Sequence, residues 1–307
     1  MTTETVMKKP GIAVWLQAGR FWSAPASLIS VLTGAALALA YDGEKIWWLL
    51  PIVAICGVLY HVAANIHSDV FDYKKQVDKN YTFGGSGVLT NGMLTQDLAY
   101  KGGWAIFAFA SALGLILVYY RGIPMLALGV AGLLGAYFYC ANPVGYKYYG
   151  LGDIGVFLFF GTLMTVGSFL ALTGTFNWQV VFVSIPLGSL IAGILSANNV
   201  RDIKHDTEAG IRTFEGMLGT RGGIAAYAFF IVLAYLSVVL MVVFRIVPIW
   251  TLAVFLSVPL AMKSLKAISQ GEFDHPEKIA GVDVMTAQLH TAFGALLILS
   301  IVAGALF

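Results

Sequence analysis

The sequence predicts an all-α, polytopic membrane protein that folds as a bundle of nine transmembrane helices. Of its 307 residues, 59% are hydrophobic and 11% are charged, whereas a soluble domain carries about 25% charged residues. The apolar residues fall in nine long runs, and Lys and Arg are divided unequally among the connections between these runs. A chain of this composition cannot cover a water-exposed surface, which excludes soluble folds.

The nine apolar runs are long enough to be read as membrane spans. A helix needs roughly 20 predominantly apolar residues to cross the hydrocarbon core of a bilayer. The connections after the first, third, fifth and seventh runs are short, whereas the others are mostly longer and polar. In chain order, the predicted spans are Ala24–Ala40, Ile46–Ile66, Tyr100–Tyr120, Ile123–Cys140, Asp153–Thr173, Trp178–Ser196, Ile224–Phe244, Val247–Ile268 and Val284–Phe307.

The basic residues predict the orientation of this bundle. Of the 18 Lys and Arg residues, only Lys45, Arg121 and Arg245 fall at one end of the spans, and the rest fall at the other end. Because cytoplasmic loops are enriched in Lys and Arg, the basic end is predicted to face the cytoplasm, together with an N-terminal segment of residues 1–20. Phe307 is then predicted to lie on the opposite side.

Most acidic residues lie at the same end of the spans as most basic residues, although the orientation rule does not require this. Asp42 and Glu44 are the only carboxylates at the poorly charged end, so a functional face explains the distribution better than topology does.

Residues 1–307 are expected to form one integral membrane domain whose partner is the lipid bilayer, with no nucleic acid and no obligate protein partner. Cys56 and Cys140 both lie inside apolar runs and are predicted to be small buried residues.

A first polar cluster ends the second span. On a helix that continues past Ile66, His61, Asn65, Ser68 and Asp72 follow i, i+4, i+7 and i+11, which places them on one face. This cluster also contains Asp69, Lys74, Lys75 and Asp78.

A second cluster ends the sixth span. Asn198, Asp202 and Asp206 follow i, i+4 and i+8, again on one helical face, with Arg201 and Arg212 close in sequence. Both clusters share the pattern Asn-x-x-x-Asp at the cytoplasmic end of a span. Acids in solvated loops are the simpler interpretation of a single Asp, but two such faces at matching depth favour a functional site, since polar groups at membrane depth are costly.

Facing carboxylate pairs would repel one another unless a cation lies between them. Mg²⁺ binds one or two carboxylates together with substrate phosphate oxygens. The two clusters therefore predict that Asp69, Asp72, Asp202 and Asp206 hold Mg²⁺, as two ions, which clamp a diphosphate, while nearby Lys and Arg residues bind the remaining phosphate charge.

Other features leave alternatives open. Gly84, Gly85 and Gly87 either wrap a phosphate with backbone N–H groups or provide loop flexibility. Asp153 either caps the fifth span, which the sequence favours, or contacts a substrate.

Four stretches of the sequence resemble the UbiA-type membrane prenyltransferases, and within them the 1,4-dihydroxy-2-naphthoate polyprenyltransferases of menaquinone biosynthesis. The resemblance covers nearly the whole chain. It is carried by Asp69-Val-Phe-Asp72 through Asp78, by the loop 84–92, by residues 149–161, and by Asn198-Asn-Val-Arg-Asp202 through Thr213.

The resemblance implies nine helices, with one aspartate motif after the second and one after the sixth. It also implies transfer of a polyprenyl group from an allylic diphosphate to an aromatic acceptor, in a bacterial or archaeal cytoplasmic membrane. The implied catalytic residues are Asp72, Asp202 and Lys147, and the implied substrate-binding residues are Asn65, Ser68, Lys74, Asp78, Lys147, Asn198, Arg201 and Arg212.

This sequence departs from the family pattern at two positions. Ser68 stands where the family usually has a metal-binding Asn, and Gly87 lies near a position where many relatives have Arg. The acceptor therefore remains open among dihydroxynaphthoate, hydroxybenzoate, homogentisate, haem, a chlorophyllide and a sugar phosphate. An ion-coupled transporter is the alternative from another class, and it predicts acids near mid-span and an inverted repeat.

Overall fold

The computed structural model describes residues 10–79 and 83–306 of the chain. Part of the predicted N-terminal segment, with Lys8 and Lys9, and the predicted end of the last span, Phe307, lie outside the described residues. In the part that is described, regular structure is helical, apart from one isolated bridge between Tyr149 and Arg212.

Eleven α-helices and several shorter 3₁₀ or π segments follow one another along the described chain. The α-helices are α1 Ile12–Ala18, α2 Ala24–Leu39, α3 Leu49–Lys74, α4 Gln96–Arg121, α5 Ile123–Phe138, α6 Gly152–Val156, α7 Met164–Thr173, α8 Trp178–Glu208, α9 Phe214–Val243, α10 Val258–Ile268 and α11 Val282–Leu306. The fifth predicted span consists of α6, a π-helical segment Phe157–Leu163, and α7. The eighth consists of a 3₁₀ segment Ile249–Ser257 and α10.

Each of the nine predicted spans coincides with a helical stretch of the described chain. Eight of these stretches are long and apolar enough to cross a membrane. The remaining one, α5, has 16 residues, or about 24 Å at 1.5 Å per residue, which is shorter than a bilayer core of roughly 30 Å. The chain is a polytopic, all-α membrane protein, as predicted.

The spans pack into a closed ring. The first span, α2, packs against α3 and α7 and also against the last span, α11, while α8 packs against both α9 and α11. Large apolar side chains such as Tyr119 and Leu256 remain exposed on the outside, as expected for surfaces that face lipid. The ring encloses an interior space that the helices line from several sides.

The two helices that carry the polar clusters extend beyond their apolar runs. Helix α3 continues from the predicted end at Ile66 to Lys74, and α8 continues from Ser196 to Glu208. The residues spaced for one helical face, His61 to Asp72 and Asn198 to Asp206, are therefore helical as predicted, whereas Asp78 lies beyond the end of α3. At the start of α9, Gly219 has a left-handed backbone (φ 70°) that separates a first turn from the rest of the helix.

Candidate active site

One cavity of about 1160 Å³ lies inside the ring of helices in the described part of the chain. Its polar end is lined by residues of both clusters, including Asp72 and Asp202. From there it runs between the helices to apolar residues such as Leu117 and Met125, close to the opposite ends of α4 and α5. This shape suits a ligand with a charged head and a long apolar tail.

Asp72 is the centre of the first cluster and is 3% exposed. Its Oδ2 atom lies 2.6 Å from Lys147 Nζ and accepts a hydrogen bond from Ser68 Oγ at 3.1 Å, while Oδ1 accepts one from Tyr148 at 2.8 Å. An ionised carboxylate has about four acceptor sites. Asp72 can therefore still accept one further ligand on the cavity side.

Asp69 does not line the cavity. Arg20 Nη2 lies 2.5 Å from its Oδ1 atom, and Oδ2 accepts hydrogen bonds from the backbone N–H (3.0 Å) and the hydroxyl of Ser86. Asn65 is also held by protein, since its Nδ2 atom donates to Gly19 O at 3.0 Å. Asp69 thus fixes Arg20 and the loop after α3, and the structure does not bring it to the cavity wall as a metal ligand.

The second cluster is organised by Arg201. Its guanidinium binds Asp202 through two hydrogen bonds of 2.9 and 2.7 Å, and its Nη1 atom lies 3.3 Å from Asp283 at the start of α11. The Arg201 side chain is 4% exposed and that of Asp202 is 17% exposed. A bidentate Arg–carboxylate pair has a defined geometry, so Arg201 fixes Asp202 towards the cavity.

The two clusters meet in space at Gly84. A Cβ atom at this position would lie 3.2 Å from Asp78 Oδ1 and 3.9 Å from Asp202 Oδ2. A contact between the His205 imidazole and the Val77 carbonyl oxygen also ties α8 to the segment that follows α3. Carboxylates from the segment after α3 and from α8, more than 100 positions apart in the sequence, therefore face the same small volume.

Most predicted site residues reach this cavity. Asn65, Ser68, Asp72, Asp78, Lys147, Asn198, Arg201, Asp202 and Asp206 line it.

Three predicted residues do not line the cavity. Lys74 is exposed at the last position of α3, and Arg212 is exposed in the connection after α8, where its backbone N–H donates to Tyr148 O at 3.3 Å. Asp69 lies behind Arg20, as described above. Asp69 was predicted as a member of the first cluster, and Lys74 and Arg212 from the family resemblance, and neither argument determines the direction of a side chain.

Sequence reasoning missed Arg20 and Tyr148 as parts of the site. Arg20 lines the cavity and pairs with Asp69, and Tyr148 donates to Asp72. For Tyr148 a signal was available, since it directly follows Lys147 in the same short connection. Arg20 carried none beyond its place before the first span.

The charges at this end influence one another. Burial, together with the nearby Asp72 carboxylate, raises the pKa of Asp78 to about 7. Burial lowers the pKa of Lys147, but Asp72, Cys140 and Tyr139 together outweigh burial and hold this pKa well above its ordinary value. Burial also lowers the pKa of Arg20, but the carboxylates of Asp69, Asp78 and Asp72 together raise it above its ordinary value. Lys147 and Arg20 therefore stay positively charged beside the carboxylates.

Residues 27–279 match the model of the UbiA prenyltransferase family. The chain belongs to this family. It is 28% identical to a 1,4-dihydroxy-2-naphthoate octaprenyltransferase of Bacillus subtilis, over 89% of this chain and 86% of that protein. It is 32% identical to a UbiA prenyltransferase domain-containing protein 1 of Dictyostelium discoideum, over 71% of this chain and 68% of that protein.

The fold is also that of solved UbiA homologues. A structure of a UbiA homologue from Archaeoglobus fulgidus bound to DMAPP and Mg²⁺ superposes with a TM-score of 0.58 at 15% identity, and it covers 92% of this chain and 98% of that chain. The likeness shows that the ring of helices is the UbiA arrangement.

The donor atoms at the polar end fit Mg²⁺. In the described part of the chain, no three Asp, Glu, His or Cys side chains are grouped so that they could hold a metal ion by themselves. Mg²⁺ does not need such a cage, because it binds through one or two carboxylates and takes its other ligands from phosphates and water. Asp72, Asp78, Asp202 and Asp206 offer hard oxygen donors on one cavity wall.

Asp153 neither caps α6 nor lines the cavity. The N-cap of α6 is Leu151, without a side-chain cap, and Asp153 is in the first turn, 3% exposed and absent from the cavity wall. The prediction of a capping residue is therefore wrong.

Proposed function

We propose that this UbiA-family chain transfers a polyprenyl group from an allylic diphosphate to 1,4-dihydroxy-2-naphthoate, a step of menaquinone biosynthesis. The observation that carries the proposal is the meeting of carboxylates from both motifs, beside Lys147 and Arg201, at the polar end of a long apolar cavity. The similarity to a 1,4-dihydroxy-2-naphthoate octaprenyltransferase supports this acceptor.

Binding of the diphosphate falls to the residues of the polar end. Asp72, Asp202 and Asp206, with Asp78 beside them, would hold two Mg²⁺ ions, which supply Lewis-acid stabilisation of the diphosphate leaving group. Lys147, already charged and 2.6 Å from Asp72, is in place to bind a phosphate oxygen with a charge-assisted hydrogen bond. Lys147, Asp72 and Asp202 are the proposed catalytic residues.

The apolar part of the cavity governs what happens to the allylic group. When the C–O bond to the diphosphate breaks, the cationic carbon has to be kept from water until the acceptor ring attacks it. Tyr139, Tyr146 and Phe160 line the cavity, and ring faces attract cations. The aromatic acceptor then forms the new C–C bond and, as a dihydroxynaphthoate, loses carbon dioxide.

The proposal includes an orientation. The end that carries the motif carboxylates also carries most of the Lys and Arg residues, so it faces the cytoplasm by the positive-inside tendency. Water-soluble diphosphate and acceptor headgroups would enter from this side, and the prenyl tail would extend towards the membrane interior.

The alternatives differ in how well they agree with the site. Another acceptor is compatible with the same diphosphate end, and the Dictyostelium relative carries only the family description in its name. An ion-coupled transporter predicts carboxylates near mid-span, whereas the motif carboxylates of this chain lie at the ends of α3 and α8.

The test is a transfer assay with purified protein, labelled geranylgeranyl diphosphate, Mg²⁺ and a panel of acceptors, followed by mass analysis. We expect a prenylated, decarboxylated product with 1,4-dihydroxy-2-naphthoate. A product with hydroxybenzoate or homogentisate alone would overturn the acceptor, and no product with any acceptor would overturn prenyl transfer.

A further inference from the structure

A buried acidic pair lies behind the second motif and has no role in the site described above. Among the described residues, seven buried side-chain polar atoms lack a hydrogen-bond partner, and four of them are Asp153 Oδ1, Asp153 Oδ2, Ser196 Oγ and Glu215 Oε1. The segments that carry Asp153 and Glu215 lie side by side, since Tyr149 bridges to Arg212 and a Cβ atom on Gly150 would lie 3.6 Å from Phe214 N, and the two carboxyl groups and Ser196 are close enough to interact. The four atoms therefore form one cluster.

The cluster joins three helices at the cytoplasmic end of the bundle. Asp153 belongs to α6, Ser196 to α8 and Glu215 to the first turn of α9. Asp153 is 3% exposed, and Ser196 and Glu215 are 0% exposed. The other carboxylate oxygen of Glu215, Oε2, accepts a hydrogen bond of 2.8 Å from Asn199 Nδ2, and Asn199 itself lines the cavity.

Two ionised carboxylates cannot satisfy each other in this position. A carboxylate only accepts hydrogen bonds, and two like charges at short range in a buried site disfavour joint ionisation. None of the ion pairs in the described part of the chain includes Asp153 or Glu215. The surroundings are also tightly packed, since a Cβ atom on Gly223 would lie 3.0 Å from the Glu215 Cβ.

We propose that Asp153 and Glu215 share one proton, and that this acid pair is a positioning pair for Asn199 and the second motif. The proton resides on Asp153, because Glu215 already receives the Asn199 hydrogen bond, as expected of the charged partner. Asp153 then donates its O–H to Glu215, and the Ser196 hydroxyl donates to the same carboxylate. The Asp153 proton and the Ser196 hydroxyl thereby give hydrogen bonds to three of the four orphan atoms, and one oxygen of Asp153 stays without a partner.

The link to the reaction runs through one turn of α8. Asn199 lies between Asn198 and Arg201, and Arg201 holds Asp202 in its bidentate pair. Fixing Asn199 fixes the rotation of this turn about the helix axis, and with it the direction of Asp202 at the diphosphate end. This step rests on the proposed function, whereas the shared proton does not.

The shared proton is tested by infrared spectroscopy of the purified protein in H₂O and D₂O. A protonated carboxylic acid has a C=O stretch that shifts on deuteration, and a carboxylate lacks it. We expect Asp153→Asn to remove one such band, and Asp97→Asn, at an exposed carboxylate, to leave this protonated-acid band unchanged. The same protonated-acid band in wild type and Asp153→Asn would overturn the shared proton, whatever the protein transfers.

The positioning role is tested by equilibrium binding of geranylgeranyl diphosphate with Mg²⁺, alongside KM and kcat in the transfer assay. In Asp153→Asn and in Glu215→Gln, a hydrogen-bond donor of one side chain still faces an acceptor of the other. We therefore expect Kd and KM to stay within about threefold of wild type. Glu215→Leu removes the anchor of Asn199, and we expect Kd and KM to rise about tenfold with a smaller change in kcat. Amide variants that lose as much binding as Glu215→Leu, or a folded Glu215→Leu protein with unchanged Kd and KM, would overturn the positioning role.

Discussion

Asp72 and Asp202 are each held by a cation that leaves part of the carboxylate facing the cavity. Lys147 holds Asp72 at 2.6 Å, and Arg201 holds Asp202 with two hydrogen bonds. Changing either Asp to Ala removes a proposed oxygen ligand for Mg²⁺ and takes a carboxylate partner from the buried Lys147 or Arg201. We expect turnover to fall about a hundredfold, or roughly 3 kcal/mol in the barrier, as measured by the rate of prenyl transfer at saturating substrate.

Asp97 provides a matched control for these two variants. It lies at the same end of the bundle, in the first turn of α4, but its side chain is 73% exposed and pairs with Lys101. Such exposed ion pairs contribute little to stability, so Asp97→Ala is expected to keep near-normal activity and membrane yield. Equal losses in all three folded variants would mean that general charge at this end, and not the motif, supports activity.

The carboxylate oxygens of the site also predict that prenyl transfer requires a divalent metal ion. Carboxylates and amide oxygens bind hard cations such as Mg²⁺, and Lys147 with Arg201 alone leaves the diphosphate charge only partly balanced. Excess EDTA is expected to abolish transfer and added Mg²⁺ to restore it, as followed by product formation in the same preparation. Full turnover in EDTA would show that the basic residues suffice.

The sequence predicted the motif residues on α3 and α8 better than it predicted their partners. The i, i+4 spacing of Asn198, Asp202 and Asp206 depends only on helix geometry, so the shared face follows from the chain itself. Arg20, in contrast, is 49 positions from Asp69, and this pairing depends on how α1 and α2 pack on α3. Local spacing carries no information about such a tertiary contact.

At the scale of elements, the loop after α3 packs closely against Asp78 at Gly85, next to the point where the two motifs meet at Gly84. This residue has a left-handed backbone (φ 68°), and a Cβ atom would lie 2.4 Å from Asp78 Oδ2. Gly85→Ala therefore has to displace Asp78 or the loop that faces Asp202. We expect prenyl transfer to fall about tenfold, or about 1.4 kcal/mol in the barrier, in the transfer assay.

Gly92 in the same loop provides a control that distinguishes the contact with Asp78 from backbone strain. It has nearly the same backbone angle (φ 67°), but nothing lies within 4 Å of an added Cβ atom. The left-handed penalty of about 1–2 kcal/mol for a non-glycine residue is therefore common to both variants. Gly92→Ala is expected to lose stability without the loss of transfer. If it loses as much transfer as Gly85→Ala, the loop acts through its fold and not through Asp78.

The nine apolar runs gave the spans, but the ends of the helices needed tertiary information. Hydrophobic length marks the part of a helix inside the bilayer, and it does not report the polar turns that α3 and α8 add beyond it. The π-helical segment Phe157–Leu163 and the break at Gly219 likewise have no signature in hydrophobic periodicity. These irregularities lie in helices beside the second motif, where packing and not propensity determines the backbone.

At the scale of the whole molecule, the ring closes because α2 and α11 pack against each other, and the cavity is the space this closure leaves. Its polar end contains charges that the membrane interior would not tolerate, and its apolar part is lined by helices from both halves of the chain. The proposed diphosphate binding and exclusion of water thus both depend on one assembled space. The length of that space should determine which prenyl chains fit.

Gly167 on α7 tests this relation between cavity length and prenyl chain. It lines the cavity, and nothing lies within 4 Å of an added Cβ atom. It is about 22 Å along the helix axis from Gly152 at 1.5 Å per residue, so Gly167→Phe would fill the far part of the cavity and spare the diphosphate end. We expect transfer from octaprenyl diphosphate to fall about tenfold and transfer from geranyl diphosphate to stay near wild type, as measured by kcat/KM for each.

Leu158→Phe, at a 47% exposed position outside the cavity wall, adds a comparable ring without narrowing the space and should leave both values unchanged. An equal loss with both diphosphates in Gly167→Phe would mean that the prenyl tail does not run past α7.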